Sequence, residues 1–237
     1  MTEETSGLSR SVEDYLKVIY ALSDAGTVAS TTSIADALDV QPASVTGMVK
    51  RLAESGFLEH VPYRGVQLTD MGTREALRVL RRHRILESYL TRRLGYRWED
   101  VHREAERLEH AASDELVERM AKALENPSHD PHGAPIPTPA GEIESTDSYN
   151  LGELAPGVEA QVRAVRDDHA EALKGVEVAG LLPGRRVLVL GRDLEERVVR
   201  VEVGPPGSAA LDVPFEVAHR VYVVTRRLGP GSGQESV

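Results

Sequence analysis

Apolar residues recur with helical spacing at the start of the chain. VEDYLKVIYAL places them at 12, 15, 16, 19, 20 and 22, one stripe of a helix. STTSIADALDV offers Thr32 or Ser33 as an N-cap before a short helix. QPASVTGMVKRLAESGF follows, with Pro42 in a first turn and Gly56 at the far end, the usual punctuation of a helix. LEHVPYRGVQLT then predicts two short strands around a turn at Arg64–Gly65. Helix, turn, helix and hairpin in this order is the plan of a winged helix-turn-helix. A long helix follows through MGTREALRVLRRHRILESYLTRRLG to a stop at Gly95, and a second is predicted over about 99–124. Both carry an apolar stripe among Arg and Glu, which suits helical pairing.

The pattern then changes. NPSHDPHGAPIPTPAG holds five prolines and two glycines in sixteen residues and predicts a loop. GEIESTDSYNLGELAPG is polar and turn-rich, as in a linker. RRVLVLG, RVVRVEVG and RVYVVTRR alternate in period two, and one helix is expected at about 167–178. This segment predicts a small β-barrel and the tail GPGSGQESV a disordered end. The fold class is α+β. The expected domains are 1–75 (winged helix-turn-helix), 76–141 (helical) and 151–228 (barrel).

Composition narrows the chemistry. A net charge of −10 argues against unspecific coating of nucleic acid but leaves room for a small reading domain. Cysteine is absent, which excludes disulfides, thiolate metal sites and cysteine nucleophiles. The N-terminal MTEETSGLSR lacks an apolar core and no run approaches a membrane span, so a cytoplasmic protein without a membrane partner is expected.

In a winged helix-turn-helix the second helix of the motif enters the major groove with its N-terminal residues on base edges. Those residues are Gln41, Ala43, Ser44 and Thr46, short or amide-bearing side chains that read bases or thymine methyls. Lys50, Arg51 and Arg64 are placed for phosphate. The alternative is a helical subdomain used for protein contacts.

VHREAERLEHAASDE puts His102, Glu106, Glu109 and His110 within an arc of about 100° on one helical face. Such a stripe is a candidate metal site and equally the wet side of an amphipathic helix. The preceding helix adds His83 and Glu87 at i, i+4, and the first helix adds Asp14. Histidine and carboxylate without sulfur suit Mn²⁺ or Fe²⁺ better than structural zinc. His169 opens a helix beside acidic residues, whereas His129 and His132 flank prolines in the loop.

Five segments, QPASVTGMVKRL, YRGVQLT, RRHRILESYL, VHREAERLEHAASDE and PHGAPIP, together resemble the diphtheria toxin repressor family of metal-dependent transcriptional regulators over about residues 9–137. LGELAPG and GLLPG resemble the SH3-like, FeoA-type domain of its longer members. The resemblance implies a homodimer gripping a palindromic operator in double-stranded DNA when metal is bound, and repression of metal-uptake genes. It implies a primary site of Asp14, Glu106, Glu109 and His110. It implies an ancillary site of His83, Glu87 and His102, completed from the barrel. The family's two barrel ligands fall near His169 and Ala172, which leaves His169 with Glu171 as the substitute pair. Iron-responsive members carry methionine and cysteine where Asp14 and Glu106 stand, and manganese-responsive members carry Asp and Glu. Mn²⁺ is therefore the expected ion and Fe²⁺ the alternative. The short manganese-responsive members place a glutamate at the position of Lys17, where it bridges a second ion, and an ammonium cannot ligate.

Two other classes compete. A di-iron carboxylate enzyme needs paired Glu-x-x-His motifs, and Glu99–His102 and Glu216–His219 sit in unlike elements. No HExxH, GxSxG or P-loop occurs, so no catalytic residue is expected. A winged-helix regulator of an organic ligand is the other rival, and no small organic substrate is expected.

Overall fold

A computed structural model of the protein describes residues 8–23, 28–145, 147–167 and 169–225. The first seven residues and the GPGSGQESV tail lie outside them. The chain is a mixed helix-and-sheet protein and divides into two compact units. One comprises Met1–Tyr89, Glu104–Ser128 and Ile136–Glu144, the other Leu90–Arg103, His129–Pro135 and Ser145–Val237.

The first unit begins with α1 (Arg10–Leu22), α2 (Thr31–Leu38) and α3 (Pro42–Glu54), followed by the hairpin β1 (Leu58–Val61) and β2 (Gly65–Leu68). The apolar stripe of α1 is the core stripe: Tyr15, Leu16 and Ile19 are buried with Ile34, Val45, Leu52, Leu58 and Val66. Each such side chain contributes about 1.5–3 kcal/mol on burial, so this small head is held chiefly by its core. The cap of α2 is Ser30 rather than Thr32 or Ser33. Its backbone is extended, its Oγ accepts from Ser33 N at 3.0 Å, and Ser33 Oγ accepts from Ser30 N at 3.0 Å. This reciprocal box satisfies two otherwise unpaired amides and outweighs the neighbouring candidates.

The hairpin turns through Pro62, Tyr63 and Arg64, with Val61 opposite Gly65. Gly65 has φ +132°, and a Cβ there would stand 2.1 Å from the Ala29 carbonyl oxygen. Ala29 and Val66 exchange backbone hydrogen bonds at 2.9 and 3.0 Å, so glycine lets the wing pair with the segment before α2.

The helical part consists of α4 (Asp70–Leu94), α5 (Val101–Leu108) and α6 (Asp114–Ala123). The single helix expected over 99–124 is therefore two. Ser113 is extended and accepts from Leu116 N at 3.2 Å, and Asp114 and Glu115 occupy the first turn of α6. A new N-terminus forms there because a serine cap and two acidic residues stabilise one. Ile85, Val117, Ala121 and Ile136 make the local core.

In the second unit β3 (Tyr149–Asn150), β4 (Glu159–Val165), β5 (Arg186–Asp193), β6 (Val198–Val203), β7 (Ala210–Pro214) and β8 (Val221–Thr225) form one antiparallel sheet in the order β3-β8-β4-β5-β6-β7. Register shifts at Val162/Ala164 and Val189/Gly191 bend it. The period-two strands bury Val162, Val187, Val189, Val199, Val201, Val221 and Val223 against Leu173 and Val176 of α7 (Ala170–Val178). A short helix α8 (Phe215–Ala218) precedes β8. The segment expected as a linker is partly structural. Its Tyr149–Asn150 pairs with β8, and Leu151 and Leu154 enter the core. Among the described residues no helix is long and apolar enough to cross a membrane.

Candidate metal centre and nucleic-acid interface

In α3 the sequence separates two faces. Val45, Met48, Val49 and Leu52 are buried, while Gln41, Ala43, Ser44, Thr46, Lys50 and Arg51 are exposed. Gln41 is the N-cap and Pro42 opens the first turn. Thr46 Oγ1 donates to the Pro42 carbonyl at 3.1 Å, and Lys50 pairs loosely with Glu54 at 3.9 Å. Gly47 shares the outer face. A Cβ there would meet nothing within 4 Å, so no packing within the chain calls for glycine. Arg64 is exposed in the wing beside fully exposed Tyr63.

Beside this head, α1, α4 and the α5 end converge on a buried cluster in the same unit. Asp14, Glu109 and His110 each bring one donor atom within 4.8 Å of the others, and so do His83, Glu106 and Glu109. Glu109 belongs to both groups and is fully buried. The break after α5 leaves His110 off the regular helix. Its Nδ1 lies 2.6 Å from Glu13 Oε2 and its Nε2 2.8 Å from Asp14 Oδ1 and 3.3 Å from Glu109 Oε1. Glu13, itself buried, is held by Arg82. His110 Nε2 is itself buried.

The remaining charges are compensated within the cluster. Lys17 Nζ donates to Glu106 Oε1 at 2.7 Å and to Glu109 Oε1 at 2.6 Å. His83 Nδ1 lies 2.5 Å from Glu109 Oε2 and its Nε2 3.0 Å from Glu87 Oε1. Burial alone would lower the His83 pKa, but the charge of Glu87 and the bonds to Glu109 and Glu87 raise it to about 9. Burial would likewise raise that of Glu109, yet the bond to His83 and the charges of His83 and Lys17 lower it to about 2. Burial lifts the Asp14 carboxyl above its ordinary range, against the pull of His110, Lys17 and Arg10.

The residues fit a divalent ion. A carboxylate on the Nδ1 side of a buried imidazole fixes the ring and leaves Nε2 with its lone pair, the arrangement that supports a metal-bound histidine. Here the buried Nε2 lies 2.8 Å from Asp14 Oδ1 and 3.3 Å from Glu109 Oε1. Oxygen and imidazole donors with no sulfur suit Mn²⁺ or Fe²⁺.

The second unit holds another cluster. His102 Nδ1 lies 3.3 Å and His132 Nδ1 3.6 Å from Asp167 Oδ2. Asp130 Oδ1 accepts from the amides of His132 and Ala134 at 2.8 and 3.0 Å. His132 is fully buried, stacks on Trp98, and directs Nε2 to the Trp98 carbonyl at 2.8 Å, which sets Nδ1 as the lone-pair nitrogen.

His169 and Glu171 are not in this group. His169 caps α7, its Nδ1 accepting from Ala172 N at 3.4 Å, and exposed Glu171 pairs with Lys174 at 2.8 Å. Asp167, two residues earlier, stands beside His102 instead. A helix N-terminus claims His169 because its first amides need an acceptor. Asp167, His132, Glu13 and the role of Lys17 escape a reading of single residues. Only the adjacency of Glu13 to Asp14 and the Asp-Pro-His turn at 130–132 hinted at them.

A winged helix-turn-helix head beside a carboxylate–histidine cluster defines the class of metal-responsive DNA-binding regulators. Residues 7–66 match the model of the iron dependent repressor N-terminal DNA binding domain, 69–138 that of its metal binding and dimerisation domain, and 149–225 that of the FeoA domain. The iron-dependent repressor IdeR of Mycobacterium tuberculosis (strain ATCC 25618 / H37Rv) is 32% identical over 223 residues, covering 89% of this chain and 95% of its own. A solved manganese-dependent transcriptional repressor in complex with manganese is 34% identical with a TM-score of 0.82, over 90% of this chain and 99% of its own. The T. acidophilum IdeR structure is 29% identical with a TM-score of 0.74, over 95% and 100%. The chain belongs to the iron-dependent repressor family, that of the diphtheria toxin repressor, whose members are metal-dependent DNA-binding repressors. The third segment is accordingly its FeoA-type, SH3-like domain.

Proposed function

We propose that the protein is a cytoplasmic Mn²⁺-responsive repressor of metal-uptake genes that binds a palindromic operator as a homodimer. Residues 1–75 read DNA, 76–141 hold metal and pair the protomers, and 151–228 form the SH3-like domain. Asp14, Glu109 and His110 are the primary ligands, with Glu106 adjoining them. The carrying observation is the Glu13–His110 pair, which leaves a buried Nε2 between two carboxylates. When bound, the ion supplies a positive charge that ties α1 to the α5 end. Asp14 is on the first helix of the reading head, so this tie sets the head for half-sites about one DNA turn apart.

Manganese is favoured because every donor but one is a carboxylate oxygen and the chain has no cysteine. Fe²⁺ is the second reading, favoured by the 32% identity to an iron-dependent repressor. In the second unit His102, Asp167 and His132 form a supporting centre. Gln41, Ala43, Ser44 and Thr46 read bases, and Lys50, Arg51 and Arg64 meet phosphate. Gly47 leaves room for the DNA to approach. Gly47→Ala is expected to stabilise the fold by about 1 kcal/mol while weakening operator binding. Unchanged binding would remove Gly47 from the interface.

The test is a DNA-binding titration against the gene's own upstream region with Mn²⁺, Fe²⁺ and chelator. Mn²⁺ is expected to tighten binding at least tenfold, about 1.4 kcal/mol of coupling. Equal affinity with manganese and with chelator would overturn the proposal.

A further inference from the structure

The two donor groups of the first unit share Glu109, whose Oε2 faces His83 and whose Oε1 faces His110 and Lys17. Glu109 Oε1 lies 3.3 Å from His110 Nε2 and 2.6 Å from Lys17 Nζ. An ion held by Asp14, Glu109 and His110 would therefore draw on the oxygen to which Lys17 already donates. Lys17 sits three residues after Asp14, so one face of α1 carries both a candidate ligand and a cation. The Lys17 side chain is 15% exposed and Glu109 is fully buried. A carboxylate so buried beside Glu106 needs a nearby positive charge, and Lys17 and His83 stand against it.

We propose that Lys17 is the resident cation of the primary centre, a tethered ammonium that holds Glu106 and Glu109 together without metal and competes with the incoming ion for Glu109. This rests on reading Asp14, Glu109 and His110 as metal ligands. Its consequence is that Lys17 weakens metal affinity while stabilising the metal-free fold. The sensor then stays assembled at low metal and responds at a higher concentration than its carboxylates alone would set. A shared oxygen cannot serve two cations at full strength, since adjacent like charges repel.

The experiment compares the full chain with Lys17→Gln, Lys17→Arg and Glu109→Gln. Mn²⁺ binding is followed by calorimetry, and thermal melting in chelator and in Mn²⁺. The binding step lost in Glu109→Gln marks the primary centre. In Lys17→Gln that step is expected to tighten at least tenfold. The chelated protein should melt lower and gain more from Mn²⁺ than wild type. Lys17→Arg, which keeps the charge, should track wild type. Affinity within twofold of wild type in Lys17→Gln, or weaker, would overturn the proposal while leaving the metal centre standing. If Glu109→Gln binds Mn²⁺ as wild type does, the metal reading itself fails and takes this proposal with it. If Lys17→Gln does not fold, acylation of the Lys17 amine in wild type, read by mass spectrometry, decides. Severalfold faster modification with Mn²⁺ than with chelator supports displacement, and equal rates contradict it.

Discussion

The two carboxylate–histidine clusters solve the same electrostatic problem differently. In the first unit the protein supplies its own cations: Lys17 and a doubly bonded His83 neutralise Glu106, Glu109 and Glu87. In the second unit His132 is locked by the Trp98 carbonyl with Nδ1 toward Asp167, and His102 lies on the same carboxylate. On the proposed reading, metal binding at the first cluster exchanges one positive charge for another. The second offers a carboxylate flanked by imidazoles, already oriented by backbone contacts. A cluster that exchanges charge is suited to switching, and one that is held by loop geometry is suited to support.

The largest expected effect is at the shared carboxylate. Glu109→Gln removes the donor common to both groups and should lower Mn²⁺ affinity at the primary centre at least a hundredfold, about 2.7 kcal/mol, with loss of metal-dependent DNA binding. A wild-type titration curve would separate Glu109 from the switch. Glu13→Gln comes next. It leaves all three ligands in place but weakens the hold on the His110 ring, and outer partners of this kind are worth about 10–100-fold in metal affinity. Calorimetry against Mn²⁺ reads it, and an effect below threefold would mean that Glu13 is merely a partner for Arg82.

In the second cluster Asp167→Asn should shift the metal response by no more than about tenfold, the lower bound for such supporting groups, and leave the switch working. Complete loss of response in a folded protein would reverse the ranking of the two clusters. The smallest effect is on stability against pH in chelator. His83 titrates near 9 in the folded protein and near its ordinary 6.5 when unfolded. Its contribution is thus full below about pH 6.5 and is lost as pH rises through about 9. Urea denaturation should show falling stability over that window, and His83→Gln should flatten it. A wild-type profile that is level from 6.5 to 9 would mean that His83 is not held as the imidazolium.

Much of this was legible in the sequence where one element decides the outcome. The α1 stripe, the Pro42 start of α3 and the paired short strands follow from local spacing, and they appear in the fold. The break between α5 and α6 was hidden because the His102–His110 stripe keeps helical spacing past the end of α5 at Leu108, while the cap bond from Leu116 to Ser113 is a structural event. Asp14, Glu109 and His110 were readable as candidates, yet their grouping depends on how α1 approaches the α5 end. The contact of Lys17 with two carboxylates about ninety residues away has no local signature. His169 looked suitable because it opens a helix, which is the reason its ring is occupied as a cap. Asp167 lacks any such marker, being one of two adjacent aspartates.

The placement of the ion is the point on which the rest depends. Crystals of the full chain grown with Mn²⁺ and measured by anomalous scattering at the manganese edge locate it directly. The expected result is a peak within bonding distance of His110 Nε2, Asp14 and Glu109, with Lys17 turned away from Glu109. A first-unit peak that excludes His110, or no peak there in a protein whose DNA binding still responds to Mn²⁺, would contradict it.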